Sequence, residues 1–310
     1  VPDPVPNQDN ALIKIKAVGI CGSDMHAYLG HDERRPAPLI LGHEAAGIIS
    51  GGDRNGERIT INPLVSCGTC WACCNSRENI CPNRQIISMP PREGAFAQYV
   101  TMPERNLVAV PSDYCLQKAA LVEPLAVGWH TAKLAVRAID LSMEKRALVI
   151  GGGAIGLATA LALRAIGIDD IVISEFNPLR REYLREHIDA KVVEKTDSSF
   201  SIIIDAVGFG STRAIASQLV SPGGIIAHVG LGDNTDGLDV RRITLQEITF
   251  IGTYTYTAKD FKDTAEALFT GRLGSLEWIE KRPLSEGKAS FRELLGNTVA
   301  APKIVLDPWQ

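Results

Sequence analysis

No stretch of this sequence reaches the ~20 consecutive apolar residues that a membrane-spanning helix requires. Its most hydrophobic window, Ala147 to Ala165, is broken by Gly151, Gly152, Gly153, Gly156 and Arg164. A basic excess is missing too. Lys and Arg number 32 against 36 Asp and Glu, a net charge of −4, so neither nucleic acid nor an anionic membrane surface is indicated as a partner. There is no internal repeat, no low-complexity tract and no secretory signal pattern, which leaves the cytoplasm as the expected compartment. An initiator Met is absent from the extended opening Val1-Pro-Asp-Pro-Val-Pro6, so some upstream residues are expected. Cysteine is scarce: seven residues, an odd number, four of them between Cys67 and Cys74. A disulfide framework would spread them, whereas crowding in a core-rich chain favours metal binding in a reducing compartment.

The 310 residues are 45% hydrophobic and 22% charged, an ordinary globular balance. That length exceeds what one core usually serves, so two domains are expected. The texture changes near residue 123. Before it, Leu12-Ile-Lys-Ile-Lys-Ala-Val18 and Arg58-Ile-Thr-Ile-Asn62 alternate like half-buried strands. After it, short apolar strands at 146–150, 171–174, 201–205, 224–229 and 249–252 are interleaved with helical stretches at 157–166 and 178–187. That order predicts an α/β unit with a doubly wound parallel sheet. A helix is expected from Asp260, and Lys303-Ile-Val-Leu306 reads as a strand that returns to the first domain.

Gly151, Gly153 and Gly156 form G-x-G-x-x-G between a strand and a helix. The first glycine permits a tight turn, the second a close backbone approach to a pyrophosphate, and the third close helix–strand packing. The helix N-terminus offers free N–H donors to phosphates. Glu175 follows roughly twenty residues on, where a carboxylate accepts both ribose hydroxyls of NAD and repels a 2′-phosphate. Arg180 and Arg181 lie nearby and pull toward the opposite preference. The same glycines also fit a plain packing turn, and Glu175 a plain surface acid.

Cys67, Cys70, Cys73 and Cys81 read C-x2-C-x2-C-x7-C, a spacing at which four thiolates wrap one ion in a closed, structural zinc site. An iron–sulfur run ending in Cys81-Pro82 is the rival, but its last gap is too long for that motif. Cys74 is a fifth, adjacent thiol. Cys21, His43 and Glu44 are candidate ligands of an open, catalytic zinc, with Glu123 as a further partner from a third segment. The residue types alone fit equally a free core cysteine, a satisfied histidine and surface carboxylates.

Five segments stand in one order along nearly the whole chain: Gly19-Ile-Cys-Gly-Ser-Asp-Met-His26, Gly42-His-Glu-Ala-Ala-Gly47, the Cys67–Cys81 loop, Glu123-Pro-Leu-Ala126 and Gly151–Gly156. In this the sequence resembles the zinc-containing medium-chain dehydrogenases, sorbitol (polyol) dehydrogenase-like branch. The resemblance implies a GroES-like β-rich catalytic domain (1–122 and 258–310) and a Rossmann NAD-binding domain (123–257). It implies two zinc ions per chain, with Cys21, His43 and Glu44 at catalytic-zinc positions, and with Glu123 where polyol-type members bind zinc or hold its water. Ser23 and His26 match proton-relay positions. Ile155, Glu175, Arg180, Val229 and Leu231 match cofactor contacts, and Thr253 and Tyr254 align with the segment beside the nicotinamide. Sorbitol-type enzymes often carry Arg before the Tyr of that segment; here Thr255 precedes Tyr256, which speaks against sorbitol itself. The stretch from Val193 to Ile202 is shorter than a typical Rossmann unit, which has more helix there.

The implied activity is hydride transfer from a secondary alcohol or polyol to NAD, giving the ketone, in a homodimer or homotetramer. The alternatives are a threonine- or sugar-phosphate-type zinc dehydrogenase, a non-catalytic NAD(H)-binding protein with structural zinc alone, and a zinc-free reductase. Arg34 and Arg35, before Pro36, read most simply as a solvated loop, or as an attractor of an anionic substrate. His31, His130, His187, His228 and Cys115 have no visible chemical partner in the sequence.

Overall fold

The computed structural model describes residues 1–7 and 9–310. The chain divides into two compact units, one of 1–123, 257–272 and 279–310, the other of 124–256 and 273–278.

The first unit is built on a mixed seven-stranded sheet. Its central strand, Asn10–Gly19, buries every second residue along its first half, with Ile13 and Ile15 fully inaccessible. This strand pairs antiparallel with three others: Glu44–Ile49 along most of its length, Tyr99–Pro103 at its start and Lys303–Asp307 at its end. The C-terminal strand expected at 303–306 therefore lies in the first unit, with Val18 opposite Leu306. The register sets Gly19 opposite both Glu44 and Val305, which carries three distant segments to one end of the sheet.

The second unit holds six strands, all parallel, in the spatial order 191–193, 170–174, 146–150, 200–205, 220–228, 249–252. Apolar β-branched runs such as Ile202-Ile-Ile204 are buried on both faces, as a central parallel strand requires. The chain leaves the strand Arg146–Ile150 in one direction and returns at Phe200–Asp205 on its other side. The carboxyl ends of these two neighbours form the switch point at which such sheets bind ligands. The return from 193 to 200 carries no helix. It is a short irregular link, which is how the truncated stretch in the sequence is accommodated. No helix among the described residues is long and apolar enough to cross a membrane.

Candidate active site

At the switch point, Gly151 adopts φ +97°, a conformation that a Cβ would strain and that would set that Cβ 2.5 Å from Val207. A Cβ on Gly156 would lie 1.8 Å from the Gly151 carbonyl oxygen, so the helix Ala154–Ala165 can approach the strand only with glycine there. Gly153 stands at the N-cap, and a Cβ on it would meet nothing within 4 Å. The turn is thus tight at its two ends and open in the middle, where the helix N–H groups face outward.

Glu175 is buried at the end of the neighbouring strand. One carboxylate oxygen accepts the Gly152 N–H at 2.9 Å and the other the Asn177 N–H at 2.7 Å. A carboxylate has about four lone-pair positions, so room remains on each oxygen for a hydroxyl donor. Arg180 approaches it at 3.9 Å, while Arg181 is committed to the carbonyls of Glu175 and Phe176 and to Glu194. Ile155 and Val229 are partly buried near this end of the sheet, and Leu231 is 76% exposed. Thr253 is buried, its hydroxyl 3.0 Å from that of Thr131, and Tyr254 beside it is half-buried. Thr255 takes φ +46°, an outlier for a β-branched residue, and its buried hydroxyl has no partner.

In the first unit, the sulfurs of Cys67, Cys70, Cys73 and Cys81 lie within 4.8 Å of one another. The separations 3.9, 3.5 and 3.5 Å for the pairs 67–73, 70–73 and 67–81 match a sulfur tetrahedron. Four sulfurs ~2.3 Å from one zinc stand about 3.8 Å apart. Cys74 is exposed and outside the group, its thiol turned to the Thr69 carbonyl. The N–H groups of Thr69 and Cys70, with the Thr69 hydroxyl, draw the Cys67 thiol down to about 6. The Cys73 N–H also pulls on Cys70, but partial burial and the neighbouring thiols push it up to about 11. Without a cation, the cluster resists carrying four negative charges, so its donor chemistry fits a divalent metal.

Cys21, His43 and Glu44 form a second group whose ligand atoms lie within 4.8 Å of one another. Cys21 caps the short helix Gly22–Tyr28, and Glu44 opens the strand paired to Gly19. A Cβ on Gly19 would sit 2.1 Å from a Glu44 oxygen, so glycine makes the space for that carboxylate. Both Glu44 oxygens accept from Lys303 Nζ, at 2.6 and 2.8 Å, and the same ammonium donates to the Ile20 carbonyl. Burial works against the Lys303 charge, yet Glu44, then Cys21 and Glu123, hold its pKa above the ordinary lysine value. Burial likewise opposes protonation of His43, but Asp24 and Cys21 raise it well above the usual histidine range. Acidic groups thus surround both, with the buried carboxylates matched by buried cations, Glu44 by Lys303 and Asp24 by Arg35.

The group does not include Glu123. That residue is buried in the first turn of the helix Val122–Ala138, close enough to Lys303 to help raise its pKa, and lies outside the set of three. Ser23 and His26 lie three residues apart on the Gly22–Tyr28 helix, hence on one face, with Ser23 partly buried and His26 exposed. The reading of Arg35 as a solvated loop residue is also overturned. Its side chain is 3% exposed and pairs with the buried Asp24 at 3.2 Å. Four residues around this group went unrecognised in the sequence: Asp24, Arg35, Ser88 and Lys303. Ser88 is fully buried at φ +67°, with its hydroxyl 3.4 Å from His43 Nδ1. A lysine opening the apolar run Lys303-Ile-Val-Leu306 was the one legible signal.

Comparison with known proteins places residues 7–112 in the alcohol dehydrogenase GroES-like domain and residues 154–270 in the zinc-binding dehydrogenase domain. The chain is similar to the sorbitol dehydrogenase of Bacillus subtilis, 34% identical over 293 residues that span 86% of this chain and 82% of that one. It is 30% identical to the L-galactonate-5-dehydrogenase of Escherichia coli, over 87% of this chain and 83% of the relative. Among solved structures, a dehydrogenase of unknown specificity from Escherichia coli superposes with a TM-score of 0.88 at 28% identity, over 99% of this chain and 94% of the other.

Proposed function

The chain belongs to the zinc-dependent medium-chain dehydrogenases, in their polyol dehydrogenase-like branch, and from that premise we propose that it oxidises a secondary alcohol of a polyol to the ketone with NAD. The observation that carries this reading is the convergence of Cys21, His43 and Glu44, separate from the four-thiolate loop. The first set, one thiolate, one imidazole and one carboxylate, is an open donor set; the second is closed. When bound, zinc supplies a Lewis acid that acidifies the substrate hydroxyl, and NAD supplies the hydride acceptor.

The chain's own residues do the rest. Cys21 and His43 are the firm metal donors. Glu44 is shared with Lys303, so it completes the donor set by turning between the two. Glu123, whose charge reaches Lys303, either joins the donor set or would hold the zinc's water. Ser23 and His26 lead the hydroxyl proton outward along one helix face, and the exposed imidazole releases it to water. Gly151, Gly153 and Gly156, with Ile155, receive the dinucleotide phosphates. Glu175 and Arg180 bind the adenosine ribose, while Val229, Leu231, Thr253 and Tyr254 border the rest of the cofactor. The catalytic domain in this reading is 1–122 with 258–310, and the cofactor domain is 123–257.

Thr255 before Tyr256 leaves no cation there for a polyol chain, so a polyol or sugar acid other than sorbitol is the favoured substrate. The five thiols of the 67–81 stretch suit a reducing, cytoplasmic setting. The exposed edge strand Thr249–Gly252 suits a homodimer.

The test is NAD reduction across polyols, sugar acids, simple secondary alcohols, hydroxy amino acids and sugar phosphates, with Cys21→Ala and His43→Ala alongside. Each variant is expected to lose at least ~10³-fold in turnover, about 4 kcal/mol, while NAD binding is kept. Full turnover in either one rejects the metal mechanism. Exclusive use of hydroxy amino acids or sugar phosphates would move the substrate to those classes.

A further inference from the structure

One buried cation beside the metal donors has no part in the function above. In Asp32-Glu-Arg-Arg-Pro36, Arg34 behaves as a loop residue, 61% exposed and paired with Asp32. Arg35 turns inward. Its Nη1 donates to Asp24 Oδ1 at 3.2 Å, and its Nε stands 3.6 Å from Asp32. The same Oδ1 lies 3.5 Å from His43 Nδ1, and Asp24 Oδ2 accepts the Cys21 N–H at 3.0 Å. A single, fully buried carboxylate thus touches the backbone of one donor residue, the ring of a second, and Arg35.

The energetics give Arg35 a task. A buried carboxylate is costly without a cation, and removing one partner of a buried pair leaves an uncompensated charge. Asp24 deprived of Arg35 loses the donor that fixes Oδ1 against the His43 ring and is free to turn toward another. That movement loosens the imidazole. With Nδ1 on the Asp24 side, Nε2 is the nitrogen left to face a metal. Partners of this kind orient a metal-bound histidine and fix its tautomer.

We propose that Arg35 is a positioning residue of the metal centre, holding Asp24 so that its carboxylate fixes the His43 ring with Nε2 presented to the metal. This rests on the assignment of Cys21, His43 and Glu44 as metal donors.

The experiment uses the full chain loaded with cobalt(II), as wild type, Arg35→Gln and Arg35→Lys. Cobalt among four thiolates and cobalt in a mixed sulfur, nitrogen and oxygen set absorb differently, so chelator competition reads each site separately. Arg35→Gln is expected to weaken retention at the mixed site roughly 10- to 100-fold and to shift its visible bands, with the thiolate site unchanged. Arg35→Lys, which keeps the charge but has one compact donor group, should fall between it and wild type. Retention within about twofold of wild type in Arg35→Gln, with the same spectrum, overturns the inference, since partners of this class cost at least tenfold when lost. Equal loss at both sites also overturns it, because Arg35 would then support the fold and not the ring. If Arg35→Gln does not fold, Arg35→Lys carries the comparison, and wild-type retention and spectrum in it reject the role. A wild type that binds cobalt at the thiolates alone rejects the underlying metal centre, a result distinct from the others.

Discussion

A buried carboxylate must be satisfied by donors, and Glu175 serves the fold in this way before the ligand role proposed for it. Its two oxygens already hold the N–H groups of Gly152 and Asn177, which ties the glycine turn to the next strand. The remaining lone pairs are available to ribose hydroxyls. Glu175→Ala should therefore both loosen the turn and remove the ribose acceptor. A charge-assisted hydrogen bond is worth ~1.5–3 kcal/mol, so the KM for NAD should rise about 10- to 100-fold. The KM for NADP should change less, because the carboxylate also repels a 2′-phosphate. Steady-state kinetics with both cofactors measure this, and an unchanged NAD-to-NADP ratio would remove Glu175 from the ribose site. Glu44 is the contrasting case. Gly19 clears its space and Lys303 holds both of its oxygens, so its charge is neutralised by the protein before any metal arrives.

The loop from Cys67 to Cys81 is an element with little apolar content to hold it. It contains a helix of four residues, Trp71–Cys74, and a single 3-10 turn, Glu78–Ile80, with Trp71 65% exposed. Such an element needs a cross-link, and a metal bridging four thiolates closes it as a disulfide would. Cross-links over loops of this length contribute ~2–4 kcal/mol. Cys70→Ser should accordingly remove one zinc per chain and lower Tm by roughly 5–15 °C, at about 2–4 °C per kcal/mol. Calorimetry with metal analysis checks this. A variant that keeps wild-type Tm after losing the ion would show that the loop is held by its own packing.

The second unit ends its sheet on the strand Thr249–Gly252, paired among the described residues with one neighbour and carrying Phe250 at 36% exposure. The adjoining helix Val240–Leu245 has no buried residue and leaves Val240 and Leu245 more than 60% exposed. Unpaired backbone and apolar side chains along one edge are what a second copy would cover. Light scattering on the purified chain should give a dimer, and the double variant Leu245→Lys, Phe250→Lys should give a monomer that keeps its zinc content. A wild-type monomer at micromolar concentration would refute the edge as an interface.

Local pattern alone marked the strands near 146–150, 170–174, 200–205, 220–228 and 249–252 and the helices after the first two, because buried apolar runs are properties of neighbours in sequence. The helices Val122–Ala138 and Gly210–Leu219 and the strand Glu44–Ile49 were not marked by it. The glycine turn was legible for the same reason: Gly151 needs its positive φ locally, and Gly156 meets the Gly151 carbonyl five residues back, although Val207 also crowds Gly151. The four-cysteine loop, too, is closed by residues at most fourteen apart. What tertiary structure decided is everything that depends on segments meeting across the sheet. Lys303 reaches Glu44 across 259 residues of chain through the register at Gly19, and no spacing rule encodes that pairing. Arg34 and Arg35 are identical residues side by side, yet one is solvated and the other buried on Asp24. Charge and composition cannot separate them, because burial is decided by the direction of a loop and not by the residue that it carries.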